Sequence, residues 1–291
     1  MIIAVTGASG SIGIELIPFL EGLGHSVIKI SSSKPSDNNF SFTFKQLANQ
    51  EIKLNVDLFI HLASINANVD SESLNEEVGL TKTVLLSLPS LGCKKLIFFS
   101  TAKVYGDNSL LDNIFTETSD LNPVCSYSNA KKICEELILQ ETSIHSLIFR
   151  MPPLINYSTS NLGKLLNLSK KNLPIPTFKV GFTNKRSFIS MINIQSVMTF
   201  VTENINFIHH HKIYNIADDG IVSLNDLLKH NNRNFLIVLP HFLFILLQKI
   251  SFLRNILKKL FGNFVLDNSK LKSEMGVTLI STKDALSSTN S

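Results

Sequence analysis

The sequence predicts an α/β fold in which a doubly wound parallel sheet is followed by a smaller, mixed C-terminal lobe. Three observations carry that expectation. Apolar runs of strand length alternate with helix-length amphipathic segments through the first half of the chain. The runs are predominantly apolar, as strands covered on both faces are. The first run, residues 2–5, leads straight into Thr6-Gly7-Ala8-Ser9-Gly10-Ser11-Ile12-Gly13, a glycine-rich turn that opens a helix.

Glycines spaced by three permit a tight turn, close approach of backbone to a pyrophosphate, and close packing of helix on strand. The helix start behind them offers unpaired N–H groups and the positive end of its dipole to phosphate. Gly7, Ser9, Gly10, Ser11, Ile12 and Gly13 are therefore the expected cradle of a dinucleotide. The helix should run to about residue 23, with Gly22 and Gly24 as stop signals, and Pro18 should kink or loosen it. Residues 26–30 read as the second strand, 31–39 as a polar turn and 40–44 as a short alternating strand.

Residues 57–63 and 94–100 read as buried strands around a helix over 74–88. Ligands of parallel sheets bind at the carboxyl ends of the strands, where Gly7, Ala63 and Ser100 all fall. Residues 101–125 form a long loop without periodicity, 127–142 a helix and 147–150 another strand. Beyond Met151-Pro152-Pro153 the alternation weakens. Helices over 162–171, 194–202 and 223–228 and a Pro-broken stretch over 173–178 are expected there. The chain is thus divided into a dinucleotide-binding domain, residues 1–150, and a smaller substrate-binding lobe, residues 151–291, partly interleaved with it.

Composition narrows the partners. A net charge of +4 over 291 residues lacks the basic footprint of a nucleic-acid binder. Cys93, Cys125 and Cys134 form no pair at zinc spacing, and His209-His210-His211 has no carboxylate or Cys beside it. Reduced thiols in a cytoplasmic setting, no metal site and a solvated histidine loop are expected. No leader pattern precedes the first strand. The apolar run over 235–247 is about 13 residues and contains Pro240 and His241, short of the roughly 20 that span a bilayer. In its continuation to residue 261, Lys249, Arg254, Lys258 and Lys259 lie among Ile250, Phe252, Leu253, Ile256, Leu257 and Leu260. The whole is read as a core-packing helix with a wet basic edge, the alternative being a helix on an anionic membrane surface; no integral membrane segment is expected.

The strongest chemical signal is Tyr127-Ser128-Asn129-Ala130-Lys131. Positions i and i+4 share a helix face, so the Lys131 ammonium stands beside the Tyr127 phenol. A neighbouring positive charge stabilises the ionised phenol and suits it to proton transfer. Ser100 and Thr101, at the end of a strand in the same unit, can offer a hydroxyl to a substrate carbonyl or alcohol.

With these residues in place the chain resembles the extended short-chain dehydrogenase/reductase family, Rossmann-type enzymes that include nucleotide-sugar epimerases, dehydratases and 4-keto reductases. The glycine motif, His61-Leu62-Ala63-Ser64, Ser100-Thr101-Ala102-Lys103-Val104-Tyr105-Gly106 and the Tyr127 to Lys131 segment stand in family order and spacing. The resemblance implies Tyr127 as general acid/base, Lys131 as ribose anchor and modifier of Tyr127, and Thr101 as hydroxyl partner. It places Leu62, Ala63, Ser64 and Pro152 beside the cofactor and Ser100 and Thr101 at the substrate. Segments around Arg150, Arg186 and Tyr214 resemble the nucleotide-sugar branch, most of all bacterial UDP-sugar 4-epimerases and 4-keto reductases of surface-polysaccharide pathways. Arg186 is then a candidate for the sugar-nucleotide phosphates, since a guanidinium fork suits phosphate; a surface salt bridge is the alternative. A homodimer is implied as well.

Three departures refine the resemblance. Ala102 and Lys103 stand where the family's dehydratases carry an acidic pair, which argues against 4,6-dehydration. Ser31-Ser32-Ser33-Lys34 replaces the acidic residue that would bind the ribose of NAD, so Ser32, Ser33 and Lys34 make NADP the preferred cofactor, while Asp37 keeps NAD open. Pro153 stands near the position of a substrate-holding Asn in the classical 4-epimerases. The expectation is an NADPH-dependent reductase of a UDP- or dTDP-linked 4-keto-6-deoxyhexose. An NAD-dependent UDP-hexose 4-epimerase is the nearest rival, and a non-catalytic dinucleotide-sensing protein the rival from another class.

Overall fold

The computed structural model describes residues 1–32, 40–64, 71–108, 113–155, 175–223, 225–227 and 236–288. The helix expected over 162–171, and Ser33, Lys34 and Asp37, lie outside these. In chain order the strands are β1 (Ile2–Thr6), β2 (Ser26–Ser31), β3 (Ser41–Thr43), β4 (Leu58–His61), β5 (Lys95–Thr101), β6 (Ile114–Phe115), β7 (His145–Met151), β8 (Ile175–Phe178), β9 (Lys212–Asn215), β10 (Leu236–Leu239) and β11 (Val265–Leu266). The longer helices are α1 (Gly13–Gly22), α2 (Phe44–Ala48), α3 (Ser71–Ser87), α4 (Ser126–Gln140), α5 (Met191–Glu203), α6 (His241–Gln248), α7 (Ser251–Phe261), α8 (Ser269–Met275) and α9 (Thr282–Ser288).

The chain falls into two compact units. The first comprises Met1–Gly106, Asp120–Met151 and Val197–Tyr214. Its seven-stranded sheet has the order β3-β2-β1-β4-β5-β7-β9, and the pairings β1–β2, β1–β4, β2–β3, β4–β5 and β5–β7 are all parallel. The strand order reverses between β1 and β4, so the turns after those two strands flank the crevice that such sheets use for ligands. Helices cover the sheet, and residues such as Leu58, Phe59, Ile60, Leu96, Phe98 and Ile148 are buried. Each of these contributes roughly 1.5–3 kcal/mol by leaving water.

Two local differences from the sequence reading have clear causes. The strand expected over 40–44 ends at Thr43, which caps α2: Gln46 N–H donates to Thr43 Oγ1 at 3.2 Å and Thr43 N–H to Gln46 Oε1 at 2.8 Å. Thr-x-x-Gln is a capping box, and it turns Phe44 into the first helical residue. α1 runs through Pro18 without a break. Pro18 is exposed, so water can serve the carbonyl that its missing N–H leaves unbonded.

The second unit comprises Asp107–Ser119, Pro152–Ser196 and Asn215–Ser291. It carries two short parallel pairs, β8–β10 and β6–β11. Phe178, Phe188, Val222, Phe244, Leu257, Phe261 and Leu286 form its core. Asp218 knits it: Oδ1 accepts from Ser190 N–H at 2.8 Å, Ser190 Oγ at 2.9 Å and Asn193 Nδ2 at 2.7 Å, and Oδ2 accepts from Thr282 Oγ1 at 3.1 Å. The segment read as one apolar helix divides at Pro240 into strand β10 and helix α6.

A polar thread runs through the core of the first unit. Ala63 N–H donates to Thr6 Oγ1 at 3.3 Å, Thr6 Oγ1 lies 2.7 Å from His61 Nδ1, His61 Nε2 lies 3.2 Å from Thr81 Oγ1, and Thr81 Oγ1 donates to Cys134 Sγ at 3.2 Å. Every group is satisfied when the His61 proton sits on Nε2. Burial, aided by the charge of Lys131, lowers the His61 pKa from 6.5 to about 3. The unfolded chain therefore takes up a proton between those values that the folded chain refuses, and stability falls as pH drops below 6.5. Urea midpoints measured from about pH 7 to pH 4 should show an acid slope that includes about 1.4 kcal/mol per pH unit from this residue. His61→Gln should remove that share; an unchanged slope would contradict it.

Candidate active site

The glycine loop folds as a closed cradle. Gly10 N–H bonds Gly7 O at 2.9 Å, and helical bonding begins with Ile14 N–H to Gly10 O at 3.0 Å, which leaves the Ser11 to Gly13 N–H groups at the N-terminal end of α1. Gly7 has φ +74, and a Cβ there would stand 2.7 Å from Ala63 N, against the end of β4. A Cβ on Gly13 would run into Gly7 O. Both spaces are closed to any side chain.

Gly7, Ser9, Gly10, Ser11, Ile12 and Gly13 line a cavity of about 550 Å³ with Ser31, Ser32, Leu62, Ala63, Ser64 and Tyr127. The structure thus gathers the expected cradle, the strand-end residues and the tyrosine around one space. Phe44 and Leu80 complete the lining, and among the described lining residues none is acidic. These residues fit a dinucleotide: bare backbone and a helix start for phosphate, apolar walls for a ring, and hydroxyls in place of a carboxylate at the end of β2.

Tyr127 and Lys131 sit in the first turns of α4. Lys131 is 1% exposed, and its Nζ lies 2.8 Å from Glu77 Oε1 on α3. It also donates to Phe99 O at 3.2 Å and stands 4.6 Å from the centroid of the Phe98 ring. Burial works against the charge, but Glu77 and the Tyr127 phenol outweigh it and hold the Lys131 pKa above its ordinary value. Ser64, on the cavity wall, donates to Glu77 Oε2 at 3.2 Å. Glu77 was not legible in the sequence, because its partner is 54 residues away and no spacing rule links them.

The end of β5 divides its two hydroxyls. Ser100, expected at the substrate, is buried and donates to Glu135 Oε1. Glu135 is also gripped by Arg150, from Nε at 3.2 and 3.1 Å and from Nη2 at 2.6 Å, while Arg150 Nη1 donates to Tyr105 Oη at 3.1 Å. The Ser100 hydroxyl is therefore spent inside the protein, and Thr101 is the one that caps the turn over Ala102–Tyr105, accepting from Lys103 N–H at 3.3 Å. Glu135 had a signal: it continues the Tyr127–Lys131 face by another four residues.

Pro152 and Arg186 belong to the second unit. Pro152 is buried directly after β7. Arg186 is half-buried: its backbone exchanges hydrogen bonds with Val222, its Nη1 donates to Leu260 O at 3.3 Å, and its guanidinium lies 5.6 Å from the Phe188 ring. Burial lowers its pKa to about 10, with Asp107 opposing. It remains a cation at neutral pH. His211, read as part of a solvated loop, is instead tied down in the first unit, with Nδ1 2.8 Å from Ser146 Oγ and Nε2 3.1 Å from Glu141 O. Among the described residues no group of three His, Cys, Asp or Glu is placed to hold a metal, and no helix is long and apolar enough to cross a membrane.

A strand-reversal crevice with a glycine cradle and a tyrosine on its wall defines the class: dinucleotide-dependent enzymes of the extended short-chain type. The model of the NAD dependent epimerase/dehydratase family matches residues 3–217. The chain belongs to that family, and so to the NAD(P)-dependent sugar-nucleotide enzymes. The UDP-glucose 4-epimerase of Vibrio cholerae is 24% identical over 302 residues, covering 94% of this chain and 89% of its own. Among solved structures, MoeE5 in complex with UDP-glucose and NAD superposes with a TM-score of 0.74 at 16% identity, covering 99% of this chain and 96% of its own. The human epimerase family protein SDR39U1 with NADPH gives a TM-score of 0.76 at 17% identity, covering 96% and 95%. At that identity the structures speak for the fold.

Gly13→Ala should drive a methyl into the Gly7 carbonyl and displace the cradle. Titration of nicotinamide fluorescence should show binding weakened at least about tenfold, since close backbone approach is what holds the pyrophosphate. Gly22→Ala, where a Cβ meets nothing within 4 Å, should bind normally and gain about 0.5–1 kcal/mol of stability. Equal binding by both variants would remove the cradle from the site.

Proposed function

We propose that the chain is an NADPH-dependent reductase acting at carbon four of a nucleotide-linked 4-keto-6-deoxyhexose. The observation that carries the reading is Tyr127, which lines the same cavity as the glycine cradle and is coupled to a buried, charged lysine one turn on. When bound, the reduced nicotinamide supplies the hydride. Tyr127 gives its phenolic proton to the oxygen on carbon four. The Lys131 ammonium stabilises the negative charge left on the phenol. Thr101 donates a hydrogen bond to the same oxygen and fixes the carbonyl for attack. Arg186, a cation whose guanidinium fork suits phosphate, is the candidate for the diphosphate of the sugar nucleotide.

The cofactor choice rests on Ser31 and Ser32, which stand on the cavity wall and leave room for a 2′-phosphate that a carboxylate would repel. One observation favours a second reading. The Vibrio cholerae relative is a UDP-glucose 4-epimerase, and an epimerase would use the same Tyr127, Lys131 and Thr101 with NAD retained through the cycle.

Loss of NADPH absorbance on mixing with UDP-4-keto-6-deoxyglucose tests the proposal. Oxidation faster with NADPH than with NADH, and slowed about 10²–10⁴-fold by Tyr127→Phe at unchanged cofactor affinity, is expected. Interconversion of UDP-glucose and UDP-galactose without net oxidation would make the enzyme an epimerase. Full activity in Tyr127→Phe would end both readings.

A further inference from the structure

We propose that the surface formed by α6 and α7 docks the protein on a bilayer carrying anionic lipids. The two helices give one side to the core of their unit, through Phe244, Leu257 and Phe261. Other large apolar side chains of the same helices and their junction face water. Phe242 is 69% exposed, Phe252 71%, Leu246 53% and Ile250 52%, with Ile245 and Ile256 beside them in sequence. Single exposed apolar residues are ordinary, but so many on two consecutive helices are not.

The charge these helices carry has one sign: α6, α7 and their junction hold no Asp or Glu, while Lys249, Arg254 and Lys258 are exposed cations. Ile245, Gln248, Lys249, Arg254 and Lys258 line a cavity of about 480 Å³ where the two helices meet, and Arg254 Nε donates to Gln248 O at 2.8 Å, which anchors the guanidinium at that cavity. Large apolar side chains next to cations are the composition of a helix that lies in a membrane interface, rings and branches at the acyl boundary and cations among the headgroups. Neither helix is long enough to cross. A second copy of the chain fits this face poorly, because it would bring Lys249, Arg254 and Lys258 against like charges.

The experiment is co-sedimentation of the full chain with vesicles of phosphatidylcholine alone and of equal parts phosphatidylcholine and phosphatidylglycerol. Binding to the mixed vesicles at low salt is expected, at least about tenfold weaker on phosphatidylcholine and similarly reduced in about 0.5 M salt. The double variant Phe242→Ser/Phe252→Ser and the charge variant Lys249→Glu/Arg254→Glu/Lys258→Glu should each reduce binding at least about tenfold while keeping wild-type dinucleotide affinity, since both change exposed side chains. Failure to sediment, equal binding to both vesicle types, or wild-type binding by both variants would overturn the proposal. A dimer in light scattering that Phe242→Ser/Phe252→Ser dissociates would assign the face to a second copy and overturn it equally.

Discussion

The site depends on a buried ion pair, Lys131 with Glu77, at 2.8 Å and almost without solvent. Two charges in such a place carry a desolvation cost of several kcal/mol each, offset only by close geometry and further hydrogen bonds. Both are present: Phe99 O and the Phe98 ring complete the ammonium, and Ser64 completes the carboxylate. Because the pair joins α3 to α4 and Ser64 donates to its carboxylate, it ties the helix that carries Tyr127 to a residue of the cavity wall. The same charge helps keep His61 neutral, so the polar thread between β1, β4 and α3 carries its protons in one arrangement.

A second buried pair, Glu135 with Arg150, does for the end of β5 what the first does for α4. It draws the Ser100 hydroxyl inward and ties Tyr105, so the turn that follows Thr101 is held from both sides. The two carboxylates have different reach. Glu77 holds the ammonium next to the Tyr127 phenol, whereas Glu135 sets the shape of the backbone after β5. Catalytic power in this reading comes from placement of ordinary groups more than from any single unusual residue.

Much of this was legible in the sequence wherever chemistry follows local spacing. The β1 turn and α1, the apolar strands β4, β5 and β7, and Tyr127 with Lys131 all announce themselves within a few residues. What was hidden is long-range or hydrogen-bonded. Glu77 meets Lys131 only because α3 packs on α4. Ser100 and Thr101 are indistinguishable in sequence, and only the Glu135–Arg150 fork separates them. The capping box at Thr43 was readable and outweighs the alternating pattern around it. The apolar stretch after residue 235 gives only part of its surface to the core, because Pro240 divides it and the helices that follow are covered on one side.

The central claim is that a mutually dependent Lys131–Glu77 pair organises the active-site helix. The most direct measurement is a double-mutant cycle in urea unfolding with Glu77→Gln, Lys131→Met and both together. Removing either partner strands the other, so each single change should cost about 3–5 kcal/mol. The double change should cost less than the sum of the two by about 2 kcal/mol or more. Additive losses would show that the two residues act independently and that Tyr127 is held in place by something else.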